Sequence, residues 1–267
     1  MKTKFLLFVA LTFISHHLVA QGKSVVEEKY LVGISIGSSI PIGNFGSMDT
    51  HNSSAGLAKT GPIFDVSFVY KFNQNIGISA LMRGQSNGVN PQVMADGLAA
   101  SLPSGSGAVT VKASGWSAAY YMAGYYGAFP ITEKLSFESR AMIGFANATS
   151  PMINMNVKSS SSTVEVDQSS KNGFAVSYLL GVGFKMNVGA KRMYLAANFD
   201  YTGAKPEFRN VPIHTTGSTS AIIASTTTFS QSFESMNIGF GIGWRFVGKS
   251  SPAKATKNVD NTDDYIK

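Results

Sequence analysis

The chain contains no cysteine, and this absence excludes several kinds of protein. Without cysteine the protein cannot form a disulfide, a thiolate metal site or an acylated N-terminal cysteine. Charged residues are also scarce, at 14% of the sequence, whereas a soluble globular domain usually has about 25%. The net charge of +7 comes from scattered Lys and Arg residues. Because no basic patch is present, no nucleic-acid partner is expected.

Long apolar runs are missing after the N-terminal segment. No later stretch reaches the roughly 18 consecutive apolar residues that a membrane-spanning helix needs. The apolar run at residues 5–14 follows Lys2 and Lys4 and precedes a small-residue site at Ala20. This order is typical of a secretory signal peptide, which we predict at residues 1–20. Strands could still cross a bilayer, because each needs only about 9–11 residues.

Segments of alternating apolar and polar residues are abundant, and they occur in pairs. Alternation with a period of two predicts β-strands rather than helices. The linkers within pairs are short, whereas those between pairs are long and rich in Ser, Gly, Thr and Asn. Short turns at one rim and long loops at the other are typical of a transmembrane β-barrel. The short linkers lie at 72–75, 129–134 and 187–190, and the long ones at 40–60, 85–113, 148–171 and 205–230.

We therefore predict an all-β fold, an eight-stranded antiparallel up-and-down transmembrane β-barrel within residues 21–248. A disordered polar periplasmic tail is expected at residues 249–267, since this segment has few apolar residues to bury. The predicted strands are 30–38, 62–72, 75–84, 115–129, 135–148, 173–186, 191–202 and 233–246.

The two faces of most predicted strands differ in size and polarity. One face is large and apolar, and the other carries Gly, Ala and Ser with a few charges. The interior of an eight-stranded barrel is just wide enough to be filled by its own side chains, so the small, charged face is predicted to point inward. In segment 115–129 the alternation is weak. There we expect Trp116, Tyr120, Met122 and Tyr126 to face lipid, and Tyr121 and Tyr125 to face inward.

The inward face is predicted to carry a lumen charge network. Buried charges must be paired or hydrated. The short turn at 72–75 places Asp65 almost opposite Arg83, which predicts a direct contact. The network can be interpreted as a polar pore or gate, or as a plug, and the narrow lumen favours the plug. Its predicted members are Asp65, Lys71, Arg83, Glu138, Arg140, Lys185, Asp200 and Arg245.

Large aromatic side chains fall near the ends of the predicted strands. Membrane barrels carry aromatic girdles at both interfaces, although strands are enriched in aromatics in general. We interpret the end positions as girdles. The predicted girdle residues are Phe64, Tyr70, Phe72, Trp116, Phe129, Phe174, Phe184, Tyr201, Trp244 and Phe246.

Three segments resemble a known family. Residues 32–37 running into 41–46 resemble its first strand and P-x-G-x-F loop entry, and residues 62–202 repeat its hairpin pattern. Residues 241–246 resemble the last-strand signal that the barrel-assembly machinery reads. The chain is thus similar to the small outer-membrane β-barrel proteins common in Bacteroidetes-type bacteria, related in architecture to the barrel of the OmpA family. The resemblance implies an outer-membrane location and brings no catalytic residues.

Four interpretations of function remain open on the sequence. The favoured one is a structural or surface-interaction role carried by four long extracellular loops, with outer-membrane lipid and an extracellular protein or glycan as partners. A narrow pore for small solutes is the alternative. A lipid-modifying enzyme would need a role for His51 or His214, and neither lies in a catalytic or metal-binding motif. A secreted soluble ligand-binding barrel is disfavoured, because the aromatic face is too large to line one cavity. No cofactor, metal or catalytic residue is predicted.

Overall fold

The computed structural model describes residues 28–102, 107–158, 162–189, 192–217 and 222–247. The predicted signal peptide at 1–20 and the predicted tail at 249–267 lie outside the described residues. No helix within the described ranges is long and apolar enough to span a bilayer.

Eight antiparallel strands form a closed barrel in the described part of the chain, as predicted. Each strand pairs with two neighbours, and the last strand pairs with the first from Ser235 to Val247, so the barrel closes. The strands follow one another around the barrel in chain order. They are β1 (Glu28–Pro41), β2 (Gly61–Lys71), β3 (Ile76–Asn87), β5 (Trp116–Pro130), β6 (Leu135–Thr149), β9 (Asn172–Val188), β10 (Met193–Ala204) and β13 (Phe233–Val247).

Side-chain hydrogen bonds fix the tight turns at one end of the barrel. Asn73 Oδ1 accepts from the backbone N–H groups of Asn75 and Ile76, at 2.9 and 2.8 Å. Thr132 Oγ1 does the same for Lys134 and Leu135 in the next turn. Asn and Thr stabilise turns in this way because their short side chains reach backbone donors two or three residues ahead. The register of both hairpins is set at this end.

The long connections at the other end contain structure that the sequence prediction treated only as loops. Two short helices occur among the described residues, α1 (Gly43–Gly46) and α2 (Pro91–Ser101). Five further strands form one antiparallel sheet in the order β4, β7, β8, β11, β12, which we call the loop sheet. Its strands are β4 (Val109–Ala113), β7 (Ile153–Lys158), β8 (Thr163–Gln168), β11 (Glu207–Gly217) and β12 (Ile223–Ser230).

The burial of side chains alternates along the barrel strands, and in β5 its phase is the reverse of the prediction. Tyr121 and Tyr125 are exposed on the outer wall. The residues that face inward are Trp116, Tyr120, Met122 and Tyr126. The pairing with β3 sets this phase, because Tyr120 lies opposite Arg83 and therefore shares its inward face. The sequence could not fix the phase because aromatic residues occupy both faces.

Candidate functional site

A cluster of four buried charges crosses the middle of the barrel. The Arg83 guanidinium binds Asp65 through two parallel hydrogen bonds of 2.7 Å, from Nε and Nη2. Its Nη2 also lies 2.7 Å from Asp200 Oδ2, and Arg140 Nη2 donates to Asp200 Oδ1 at 2.8 Å. Two cations and two anions therefore balance in a chain of contacts. The Arg83 side chain is 0% exposed. We call this set the central cluster.

Neutral side chains complete the hydrogen bonding of the central cluster. Arg83 Nη1 donates to Thr202 Oγ1 at 3.0 Å, and Asn237 Nδ2 donates to the same hydroxyl at 3.1 Å. Ser35 Oγ donates to Asp65 Oδ2 at 3.3 Å. Strands β1, β2, β3, β6, β10 and β13 all supply a member, so the cluster ties opposite walls of the barrel together. A buried ionic network tolerates desolvation only when its polar atoms are paired in this way.

A second charged cluster lies at the short-turn end and centres on Glu28. Glu28 Oε2 lies 2.5 Å from Lys185 Nζ and 3.9 Å from Lys71 Nζ, and Glu28 Oε1 lies 3.0 Å from Arg245 Nη1. Three cations thus surround one carboxylate. We call this set the end cluster. The sequence prediction missed Glu28 because it began the first strand at Tyr30. From Leu31 onward the inward residues of β1 are odd-numbered, so strict alternation would direct Glu28 outward. An irregularity in the strand register between Glu28 and Tyr30 brings its side chain inward, and no alternation signal in the sequence could have found it.

The last predicted lumen charge, Glu138, lies between the two clusters. The Tyr126 hydroxyl donates to Glu138 Oε1, and Tyr194 lies in the same layer. Two glycines make room for Tyr194, since a Cβ at Gly243 would lie 2.2 Å from Tyr194 Cζ and one at Gly33 would lie 2.7 Å from its hydroxyl. Interior glycines therefore admit a large aromatic side chain to the narrow lumen. All eight predicted lumen charges lie on the inward face.

An apolar cap fills the barrel at the long-loop end. Phe45 of α1 is fully buried and stacks on Phe233 at a ring separation of 4.6 Å, and Trp116 packs edge-on against Phe233 at 5.4 Å. Trp116 Nε1 donates to the carbonyl oxygen of Gly56 at 2.8 Å, which ties the first long loop to the cap. The prediction that Trp116 belongs to a lipid-facing girdle is therefore wrong. Its indole is buried because β5 has the opposite phase.

The other nine predicted girdle residues lie on the outer face. Near the short-turn rim, Tyr70 contacts Phe72 at a ring separation of 5.4 Å. Near the opposite rim, Tyr178 contacts Tyr201 at 5.8 Å. A closed barrel with an apolar outer wall and inward charges is the arrangement of a membrane-spanning barrel. The nine outward residues are Phe64, Tyr70, Phe72, Phe129, Phe174, Phe184, Tyr201, Trp244 and Phe246.

The two histidines considered for catalysis lie apart from these layers, at the long-loop end of the barrel. His51 is exposed and its Nδ1 lies 3.5 Å from Asp49 Oδ1. His214 is exposed on β11, opposite Asp167 of β8 in the sheet register. No group of three or more His, Cys, Asp or Glu side chains in the described ranges could hold a metal ion. A groove of about 420 Å³ runs beside His51, with Leu57, Met94 and Met155 in its lining.

No protein-family model matches the chain, and no curated protein matches it. Solved structures do match. Ail, the attachment invasion locus protein of Yersinia pestis, aligns with a TM-score of 0.41 and 14% identity, over 82% of this chain and 99% of that chain. Neisserial surface protein A aligns with a TM-score of 0.39 and 11% identity, over 81% and 96%. The outer membrane protease OmpT from Escherichia coli aligns with a TM-score of 0.39 and 7% identity, over 85% and 99%.

The fold rests on the strand pairing described above. Membership of an OmpA-like or Bacteroidetes-type family stays a prediction.

Proposed function

We propose that this chain is a barrel of the bacterial outer membrane that acts at the cell surface through its long-loop end and does not conduct solutes. We call this end the outer end. The observation that carries the proposal is the division of the barrel into a filled interior and a structured outer end. The central cluster, the end cluster and the apolar cap occupy the interior. The loop sheet lies at the long-loop end, outside the barrel wall, and presents an ordered polar face there.

The outer wall supports the membrane location. In lipid every backbone polar group must be paired within the protein, and a closed barrel meets this requirement. The partners we propose are outer-membrane lipid along the wall and the barrel-assembly machinery during biogenesis. Membrane fractionation combined with heat-modifiable gel mobility tests the location. We expect the unheated protein to pellet with outer membranes and to migrate as a compact species, and a soluble, heat-insensitive protein would refute the proposal.

One face of the loop sheet supports a surface-contact role. Lys112, Asn154, Asp167 and His214 lie side by side in register across four strands, so their side chains share one face. Such a row of hydrogen-bonding groups suits a polar extracellular protein or glycan. Replacing the β7–β8 hairpin with a short turn should reduce cell adhesion or partner capture. Unchanged adhesion, capture and envelope integrity would count against this role.

The closed lumen separates this proposal from the narrow-pore alternative. Because the Arg83 side chain is completely buried between two carboxylates, an ion would have to displace a paired network to pass. In planar bilayers we expect the purified protein to give no stable single-channel steps. Regular conductance steps would show that the network opens.

We also propose that neither histidine has a catalytic role. Both side chains are exposed. The contact between His51 and Asp49 lies in a loop where both side chains face water. Replacing His51 and His214 together with Ala should leave the lipid A profile of the producing cells unchanged. A shift in acylation would instead favour a lipid-modifying enzyme.

A further inference from the structure

The two edges of the loop sheet are protected to different degrees. At one edge, β4 has five residues, carries the exposed Lys112 and has α2 packed against it. At the other edge, β12 has eight residues, Ile223–Ser230, with no charge and no proline. Within the described residues β12 pairs only with β11. Edge strands are usually blocked by charge, proline or a covering element, because a bare edge is a template for another strand.

Pro212 determines which backbone groups of β12 are free. Its carbonyl oxygen accepts from Ser169 N at 3.0 Å, on the β8 side of β11. The residue opposite Pro212 on β12 is Thr226. Since Pro212 directs its polar backbone away from β12, this is a non-hydrogen-bonded pair, and the N–H and C=O of Thr226 point out from the sheet. The period of two directs the same groups of Ala224 and Thr228 outward.

We infer that β12 is a self-recognition edge, to which the β12 strand of a second copy of this chain adds in antiparallel orientation. An antiparallel pair of identical strands is related by a two-fold axis perpendicular to the sheet. Each residue of one copy must therefore lie opposite a residue of the other copy whose side chain is on the same face of the sheet. Centring the pair on Thr226 meets this condition. Thr226 then faces its own counterpart, and Ala224 faces Thr228. These three outward pairs exchange about six backbone hydrogen bonds.

The side chains in this register are mutually compatible. Ser225 meets Thr227, and Ile223 meets Phe229, on the other face of the sheet. Every pair is uncharged, and cross-strand pairs of Thr and Ser stabilise antiparallel sheets. The charges across the four outer connections nearly balance, so two outer ends do not repel each other strongly. A second copy is favoured over an unrelated partner because the edge is complementary to itself.

The two-fold axis also determines the relative orientation of the two barrels. Only Gln231 and Ser232 separate β12 from β13, so β12 runs toward its own barrel. In the antiparallel pair the copy's strand runs the opposite way, and its barrel therefore lies at the other end. If the chain spans the outer membrane as proposed above, the contact joins two facing membranes rather than neighbours in one membrane. It is an isologous contact that closes after two copies.

Proteoliposome tethering tests this inference with the full-length protein in phosphatidylcholine vesicles. Vesicles that carry the wild-type chain should cluster, as measured by dynamic light scattering, and those that carry Thr226→Lys should cluster about tenfold more slowly, because like charges would face each other at the two-fold axis. The matched control is Thr216→Lys, which adds the same charge to the same face but on β11, already paired with β8. It should cluster as the wild type does.

A mixing experiment tests the register. Vesicles with Thr226→Lys and vesicles with Thr226→Glu should each cluster about tenfold more slowly than the wild type when tested alone, and mixing them should restore rapid clustering, because opposite charges then meet. Wild-type vesicles that do not cluster, a Thr226→Lys variant that clusters normally, or a mixture that is not rescued would overturn the inference. Heat-modifiable mobility of each variant in the same vesicles shows separately that the barrel is inserted. Loss of that signal would count against the proposed membrane location rather than the edge contact.

Discussion

The two charged clusters inside the barrel stabilise their charged side chains with different balances of cations and anions. The central cluster balances Arg83 and Arg140 against Asp65 and Asp200, and none of these four side chains is more than 8% exposed. The end cluster places three cations around Glu28, at the rim where the short turns lie. The desolvation cost of an unpaired charge is greatest where water cannot reach it. Charge balance is therefore required in the middle of the barrel, whereas an excess of cations is tolerated at its mouth.

The largest effect is expected from breaking the central cluster. In Arg83→Met, Asp65 loses its guanidinium partner and Asp200 keeps only Arg140. We expect a loss of about 3–5 kcal/mol in the free energy of unfolding, because removing one partner leaves a buried charge without an ion pair. Urea unfolding of the protein in vesicles, followed by gel mobility, measures the loss. Arg209→Met is the control, because Arg209 is 75% exposed and pairs with Glu207 on the surface; an equal loss there would refute the argument.

A second variant should restore part of that loss. Arg83→Met combined with Asp65→Asn removes one cation and one anion, which leaves Asp200 paired with Arg140 at 2.8 Å. Because charge balance returns, we expect the double variant to be about 1–2 kcal/mol more stable than Arg83→Met alone. The same unfolding assay measures the difference. If the double variant is less stable than the single one, charge balance is not what the centre requires.

Breaking the end cluster should lower the free energy of unfolding by a smaller amount. Glu28→Gln removes the negative charge that Lys71, Lys185 and Arg245 share. We expect a loss of about 1–2 kcal/mol, smaller than at the centre because Arg245 is 19% exposed and a cavity of about 50 Å³ beside Glu28, Lys71 and Lys185 has room for water. Raising the salt concentration should shrink the loss further. Asp49→Asn is the control, because the Asp49 side chain is 61% exposed in a long loop away from the end cluster, and it should have no measurable effect. A loss as large as that of Arg83→Met would remove the distinction between the two clusters.

The smallest effect is expected above both clusters, in the apolar cap. Trp116→Phe keeps an aromatic ring but removes the hydrogen bond to the Gly56 carbonyl oxygen. We expect about 1 kcal/mol of local destabilisation. The first long loop should open more often, which trypsin cleavage after the exposed Lys59 in intact vesicles would detect. Trp244→Phe on the outer wall is the control. Equal cleavage in both variants would mean that Trp116 does not hold the loop.

The alternation of side chains along the strands and the lengths of the turns were sufficient to predict the barrel and the inward and outward faces of most strands. The contact between Asp65 and Arg83 could be foreseen because a four-residue linker fixes the hairpin register. The phase of β5 could not, because Tyr120 and Tyr121 are both large and the deciding influence is the pairing of Tyr120 with Arg83 across strands. Pairing across strands is tertiary information that no single segment carries.

The loop sheet was missed although its sequence gave a signal. Residues 109–113 read Val-Thr-Val-Lys-Ala, and residues 163–168 alternate as well. Their many Ser, Thr and Asn neighbours suggested loops, and strands of five or six residues give a weak pattern. The apolar cap was missed for a different reason. Phe45 lies in a four-residue helix, and only the fold shows that it enters the barrel mouth.

The shared loop sheet also constrains how this surface can evolve. Three of the four outer connections contribute strands to it, so an insertion within one strand would shift the register against its neighbours. Divergence should therefore concentrate in exchanges of side chains on the polar face and in the lengths of the hairpin tips. The outer end of this barrel is expected to change its chemistry readily and its framework slowly.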